Sequence, residues 1–144
     1  MKKARDIMTA NPQVITPDDS ITRAAEIMRD SNVGVVPVVD DQGSMRLAGL
    51  VTDRDIAVRV VAEGRNSGEM RAREVMSSGI SSVGPDDGVD RVMELMKREQ
   101  VRRVPVCEGE RLVGIIAQAD VATEGPGDRK TGDVVEKISE PDRR

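Results

Sequence analysis

Leu47-Ala48-Gly49-Leu50-Val51-Thr52-Asp53-Arg54-Asp55-Ile56-Ala57 decides the reading of this chain, because its pattern occurs twice. Leu112-Val113-Gly114-Ile115-Ile116 matches its start and Asp120-Val121-Ala122 its end. Upstream the agreement continues: Val36-Pro37-Val38 answers to Val104-Pro105-Val106, and Pro17-Asp18-Asp19 to Pro85-Asp86-Asp87. At the outer edge, Arg5-Asp6-Ile7-Met8-Thr9 answers to Arg73-Glu74-Val75-Met76-Ser77. The order is kept throughout, and the spacing changes once, in a loop three residues shorter in the second copy. That is an internal repeat.

Both copies carry the same succession of patterns. Ile21, Ala24, Ala25 and Met28 fall at i, i+3, i+4 and i+7, and Val89, Val92, Met93 and Met96 repeat that helical stripe. Asp and Ser residues just ahead of each stripe are suitable N-caps. An apolar strand follows (Val33 to Val39; Val101 to Cys107), then a polar turn (Asp40-Asp41-Gln42-Gly43; Glu108-Gly109) and a second strand (Leu47 to Val51; Leu112 to Ile116). The short second turn demands an antiparallel hairpin. A second helix begins at Thr52 or Ala117. With a short strand ahead of the first helix, each copy predicts β-α-β-β-α, and the chain is expected to be α+β, its two repeats packed as a pseudo-two-fold pair. The repeats span 1–61 and 73–123, joined by an exposed Gly/Arg/Asn/Ser-rich linker over 62–72. The charged tail over 124–144 suits disorder, with a short helix at Asp133 to Ile138 as the alternative.

Composition narrows the function. The 144 residues include no Phe, Tyr or Trp, so aliphatic side chains must supply all burial, at roughly 1.5–3 kcal/mol each. Burial in a unit of about 60 residues is marginal, which favours covering further surface in a homodimer. A net charge of -4 with no basic stripe and no stacking aromatics argues against nucleic acid. The lone Cys107 allows no intrachain disulfide and fits a reducing compartment. Nothing reads as a secretory signal, and no run approaches the roughly 18 apolar residues of a membrane span, so a soluble cytoplasmic protein is expected.

Reaction chemistry is thin. Without His, Cys107 has no base to activate it and reads as a buried structural thiol. A zinc site is not expected, and the Asp18-Asp19 and Asp86-Asp87 pairs fit helix N-termini better than a metal. Lys130-Thr131 superficially resembles the end of a P-loop, but Arg129 stands where its glycine belongs. Neither catalytic residues, a metal nor a required cofactor is expected.

Tandem β-α-β-β-α units with Val-Pro-Val strands and a Gly-x-x-x-x-x-Asp strand-to-helix junction resemble the cystathionine-β-synthase (CBS) domain pair. The resemblance runs from Ala4 to about Ala122 and rests most specifically on Gly49-Leu50-Val51-Thr52-Asp53-Arg54-Asp55 and Val101-Arg102-Arg103-Val104-Pro105-Val106. It implies up to two clefts for adenine nucleotides or S-adenosylmethionine and frequent pairing with a second chain; with no attached enzyme or transporter domain in the sequence, a stand-alone module is expected. It also implies that each cleft takes its sugar-side Thr and Asp from one repeat and its base pocket and basic strand from the other. Cleft A then combines Thr52 and Asp55 with Ile80, Ser81, Arg102, Arg103 and Pro105. The weaker cleft B combines Ala117 and Asp120 with Gln13, Val14, Gly34, Val35 and Pro37.

The residues themselves bear two readings. Thr52 followed three residues later by Asp55 is a capping-box pattern, and a carboxylate there can also accept ribose hydroxyls; one residue can do both. Copy two keeps Asp120 but replaces the Thr with Ala117. Arg102 and Arg103 are either solvated charges or, through the guanidinium fork, phosphate ligands. Copy one has Gly34-Val35 at that place and no charge. The expected function is regulatory binding of an AMP, ADP or ATP-class ligand, acting through conformation or assembly. The alternatives are an empty interaction or dimerisation scaffold, and a binder of S-adenosylmethionine or NAD. An unidentified protein target is compatible with each.

Overall fold

The computed structural model describes residues 2–124. The predicted tail, with its alternative helix at Asp133 to Ile138, lies outside the described residues. Described elements are α1 (Ala4–Ile7), β1 (Thr9–Ala10), α2 (Ile21–Ser31), β2 (Val35–Val39), β3 (Leu47–Thr52), α3 (Asp53–Ile56), α4 (Ala72–Val75), α5 (Val89–Glu99), β4 (Arg103–Glu108), β5 (Arg111–Ala117) and α6 (Gln118–Glu124). A π-helical turn, Ala57–Val61, continues α3. No described helix is long and apolar enough to cross a membrane.

The chain folds as two compact units. One is Pro12–Ile80; the other joins the chain up to Asn11 to the chain from Ser81 onward. The spatial units thus differ from the sequence repeats, because each repeat's opening segment folds onto the other repeat. In the first unit β2 and β3 form the antiparallel hairpin, Val36 opposite Val51. Ser77, from the second repeat's opening segment, bridges Leu50 of that hairpin with N–H···O distances of 2.9 and 3.0 Å. In the second unit β4 pairs β5, and β1 adds to the β5 edge through Thr9 opposite Ile115.

The Pro-Asp-Asp turns receive the exchanged segments in matching ways. Ala72 N–H donates to Asp19 O at 2.8 Å in one unit, and Ala4 N–H to Asp87 O at 2.7 Å in the other. Arg73 pairs with Asp18, as Arg5 does with Asp86 through Nε at 3.1 Å and Nη2 at 2.6 Å. The Arg5 guanidinium holds the Asp86 carboxyl below its ordinary range. Asp18 and Asp86 therefore pin incoming segments rather than cap helices. Asp19 and Asp87 accept from Thr16 and Gly84 N–H within their own turns, both at 2.8 Å. The α2 cap is Ser20, accepting from Arg23 N–H at 3.2 Å, while Gly88 holds that place at α5 without a side chain.

The cores are wholly aliphatic. Ile15, Ile21, Ile27, Val36, Val38 and Val51 centre one; Val89, Val92, Leu95, Met96, Val104 and Ile116 centre the other. The α5 stripe is buried as expected, joined by Leu95, whereas in α2 Ala25 is exposed and Ile27 is buried instead. The first strand of each hairpin starts two residues later than its apolar run. Asn32 (φ 54°) and Gln100 (φ 56°) end the preceding helices in the left-handed region, so the next residues turn the chain. Val33 and Val101 N–H groups return to Met28 and Met96 carbonyls, both at 3.1 Å.

The 62–72 stretch is more than an exposed linker. Its start is exposed, but Met70 and Ala72 enter the first unit's core and Met70 O accepts from Ile21 N–H at 3.0 Å. The expected short strand ahead of the first helix is present in one repeat only, as β1, two residues long; in the other repeat it shrinks to the Ser77 bridge. One-turn helices α1 and α4 precede these segments and were absent from the expected pattern.

Candidate functional site

The junction between β3 and α3 is built by local chemistry. Thr52 is extended (φ -108°, ψ 163°), and its Oγ1 accepts from Asp55 N–H at 3.1 Å. Asp55 Oδ2 accepts in return from Thr52 N–H at 2.9 Å, closing a capping box. Asp53 N–H is satisfied by Gly34 O at 3.0 Å, tying the junction to the start of β2. Asp55 is 5% exposed and is the buried charged residue among those described. Its other oxygen, Oδ1, lies 3.9 Å from Arg59 Nε, too long for a hydrogen bond. The carboxylate thus has one oxygen committed to the cap and one facing a loose cation.

The junction between β5 and α6 keeps half of this arrangement. Ala117 N–H donates to Asp120 Oδ2 at 2.8 Å, and Gln118 N–H to Arg102 O at 2.8 Å. The hydroxyl half of the box is missing, because Ala117 has nothing to accept with. Asp120 is partly exposed where Asp55 is buried.

Arg102 lies exposed just ahead of β4, and half-buried Arg103 begins it, opposite Ala117 in register. Neither guanidinium has an ion-pair or hydrogen-bond partner among the described residues, although the chain is acidic overall. In the other hairpin Val35 occupies that register place, opposite Thr52. Pro37 and Pro105 are buried mid-strand, their carbonyls accepting from Ile15 and Val83 N–H at 3.0 and 3.1 Å. Those two bonds anchor the segments carrying Gln13 and Val14, and Ile80 and Ser81. Ser81 Oγ donates to Glu99 Oε2 at 2.9 Å.

Of the predicted cleft A set, Thr52, Asp55 and Ile80 belong to the first unit; Ser81, Arg102, Arg103 and Pro105 belong to the second. Of cleft B, Gln13, Val14, Gly34, Val35 and Pro37 belong to the first and Ala117 and Asp120 to the second. Each set thus draws members from both units. Arg59 escaped the sequence reading. Its signal was its place four residues after Asp55, where the second copy has Glu124. Cys107 is buried in β4, and desolvation pushes its thiol up despite a Ser82 hydrogen bond. Among the described residues no three His, Cys, Asp or Glu side chains cluster as metal ligands.

Two α+β units, each with a carboxylate at a strand-to-helix junction, define a tandem-repeat module. The CBS domain model matches residues 4–62 and 72–127, and the chain belongs to the CBS domain family. It is 38% identical to the uncharacterized protein YlbB of Bacillus subtilis strain 168, over all of this chain and 96% of that one. Hypoxic response protein 1 of Mycobacterium tuberculosis is 36% identical, covering 88% of this chain and 87% of its own. The structure of Hypoxic Response Protein I, described with two coordinated zinc ions, superposes with a TM-score of 0.77, covering 87% of this chain and all of that one. The CBS domain pair of protein MJ0100, solved with 5'-methylthioadenosine and S-adenosyl-L-methionine, is 27% identical with a TM-score of 0.76, covering 85% of this chain and 94% of that one.

Proposed function

We propose that this chain is a regulatory module that binds an adenine nucleotide of the AMP, ADP or ATP class. Thr52 and Asp55 take the ribose, Arg102 and Arg103 the phosphates, and Ile80, Ser81 and Pro105 the base side. The Ala117 and Asp120 junction, with Gln13, Val14, Gly34, Val35 and Pro37, forms the weaker site. The observation that carries this reading is the adjacent Arg102 and Arg103 at the head of β4, without side-chain partners among the described residues of an acidic chain. A guanidinium fork matches phosphate oxygens in pairs. The adenosine moiety shared by the ligands of the MJ0100 domain pair supports the sugar and base assignment. S-adenosylmethionine fits less well, because it offers the two arginines one carboxylate beside two cationic groups in place of phosphate. NAD keeps the adenylate that the reading needs, so it is part of the test.

The ligand acts by differential affinity for two conformations or assembly states of the module. The check is a thermal-shift series with AMP, ADP, ATP, NAD and S-adenosylmethionine, followed by calorimetry. A ligand at a hundred times its Kd stabilises the folded state by about 2.7 kcal/mol, a shift of several degrees. The expected result is a shift with phosphorylated adenosines and one strong site per chain. Two equivalent sites per chain contradict the asymmetry. No shift with any member favours the scaffold reading.

A further inference from the structure

We propose that Arg59 is a positioning residue that ties the Asp55 carboxylate to α4, so that ligand hydroxyls on Asp55 and docking of α4 reinforce each other. The inference rests on the assignment of Asp55 to ribose. A buried carboxylate needs compensation, and the Thr52 N–H supplies it to Oδ2 alone. Oδ1 faces Arg59 Nε at 3.9 Å, a loose ion pair that leaves Oδ1 lone pairs for a ligand hydroxyl. The same guanidinium donates from Nη1 to Val75 O at 2.9 Å. Val75 is the last residue of α4, where helix geometry leaves carbonyls without an internal partner. One rigid guanidinium therefore hydrogen-bonds the end of α4 through Nη1 while its Nε faces the carboxylate as a loose ion pair, a division that a single ammonium cannot copy.

The local backbone and the second copy agree with a specific role. Arg59 projects from the π-helical turn, where Ala62 N–H reaches Ala57 O at 2.9 Å across five residues. Such turns are frequent at functional sites. The second copy has Glu124, not an arginine, at the corresponding position. The tie is thus encoded at the junction that also has the capping Thr. Hydroxyls that fix the Asp55 carboxylate lower the entropic cost of holding Arg59 between that charge and the Val75 carbonyl, which favours α4 docking. Linkage makes the effect reciprocal.

The test is hydrogen exchange at the Ser77 and Leu50 amides, which pair with each other just beyond α4. Full-length wild type, Arg59→Gln and Arg59→Lys are compared, each free and saturated with adenosine, with affinities from calorimetry. Wild type should show exchange slowed about five-fold or more by adenosine. Arg59→Gln should lose that response and bind adenosine more weakly by a similar factor. Arg59→Lys, which keeps the charge, should restore less than half of it and carries the test if the Gln variant fails to fold. A merely structural Arg59 would speed exchange equally with and without adenosine, leaving the ratio intact; that result overturns the proposal while the nucleotide reading stands. Absence of adenosine and AMP binding by wild type overturns both.

Discussion

In the proposed site Asp55 carries two duties at one carboxylate, and the two oxygens separate them. Oδ2 accepts within the capping box, while Oδ1 faces Arg59 at 3.9 Å and is the oxygen assigned to the proposed ligand. Asp55→Ala is therefore expected to do two measurable things. It should weaken adenosine and AMP alike, by about ten- to a hundred-fold, since a hydrogen bond to a charged group contributes roughly 1.5–3 kcal/mol. It should also lower stability by about 1 kcal/mol through the lost cap, read by denaturant unfolding. A stability loss with unchanged affinity leaves Asp55 a cap and nothing more. The cap was legible in the sequence because Thr52 and Asp55 are close along the chain. Arg59 was not, because its partner Val75 comes from a segment whose docking is set by long-range pairing.

At the scale of elements, glycines in the hairpins mark where the exchanged segments arrive. A Cβ on Gly49 would stand 2.6 Å from Ser77 O, a backbone atom that cannot move without breaking its bridge to Leu50. A Cβ on Gly114 would meet the flexible Met8 thioether first, with Thr9 O at 3.1 Å. Gly49→Ala is expected to cost about 1–3 kcal/mol by forced overpacking, and Gly114→Ala less. Calorimetric unfolding of the two variants checks the order, and an equal or reversed order would contradict it. Hairpins and amphipathic helices were readable because their periodicity is local. A repeat identifies what is alike but not which copy pairs with which, so the exchange of opening segments had to come from the structure. Gly49 and Gly114, at matching places in both copies, were its trace.

At the scale of the molecule, two aliphatic cores without aromatics share a chain whose helices leave apolar side chains outside. Val58 and Val61, on the π-helical turn, are 47% and 70% exposed, and Val33, two residues past α2, is 41% exposed. Small cores with uncovered valines favour burial against a second copy, and a homodimer is expected. Light scattering at micromolar concentration should give twice the chain mass, and a monomer mass would count against it. The repeat and the fold class were legible from order and spacing. Dividing the chain into spatial units was not, because sequence similarity cuts it at 62–72 while contacts cut it at Asn11 and Ile80.

The central claim is that one adenine nucleotide is read by carboxylate on its sugar and by guanidinium on its phosphate. Calorimetric titration of AMP and adenosine into wild type and Arg103→Ala tests it most directly. Arg103 begins β4 with no partner among the described residues, so its loss should spare the fold and act on the ligand. AMP should lose about ten-fold or more in affinity, in line with a charge-assisted contact of roughly 1.5–3 kcal/mol, while adenosine stays nearly unchanged. Equal weakening of AMP and adenosine, or of neither, would contradict the account.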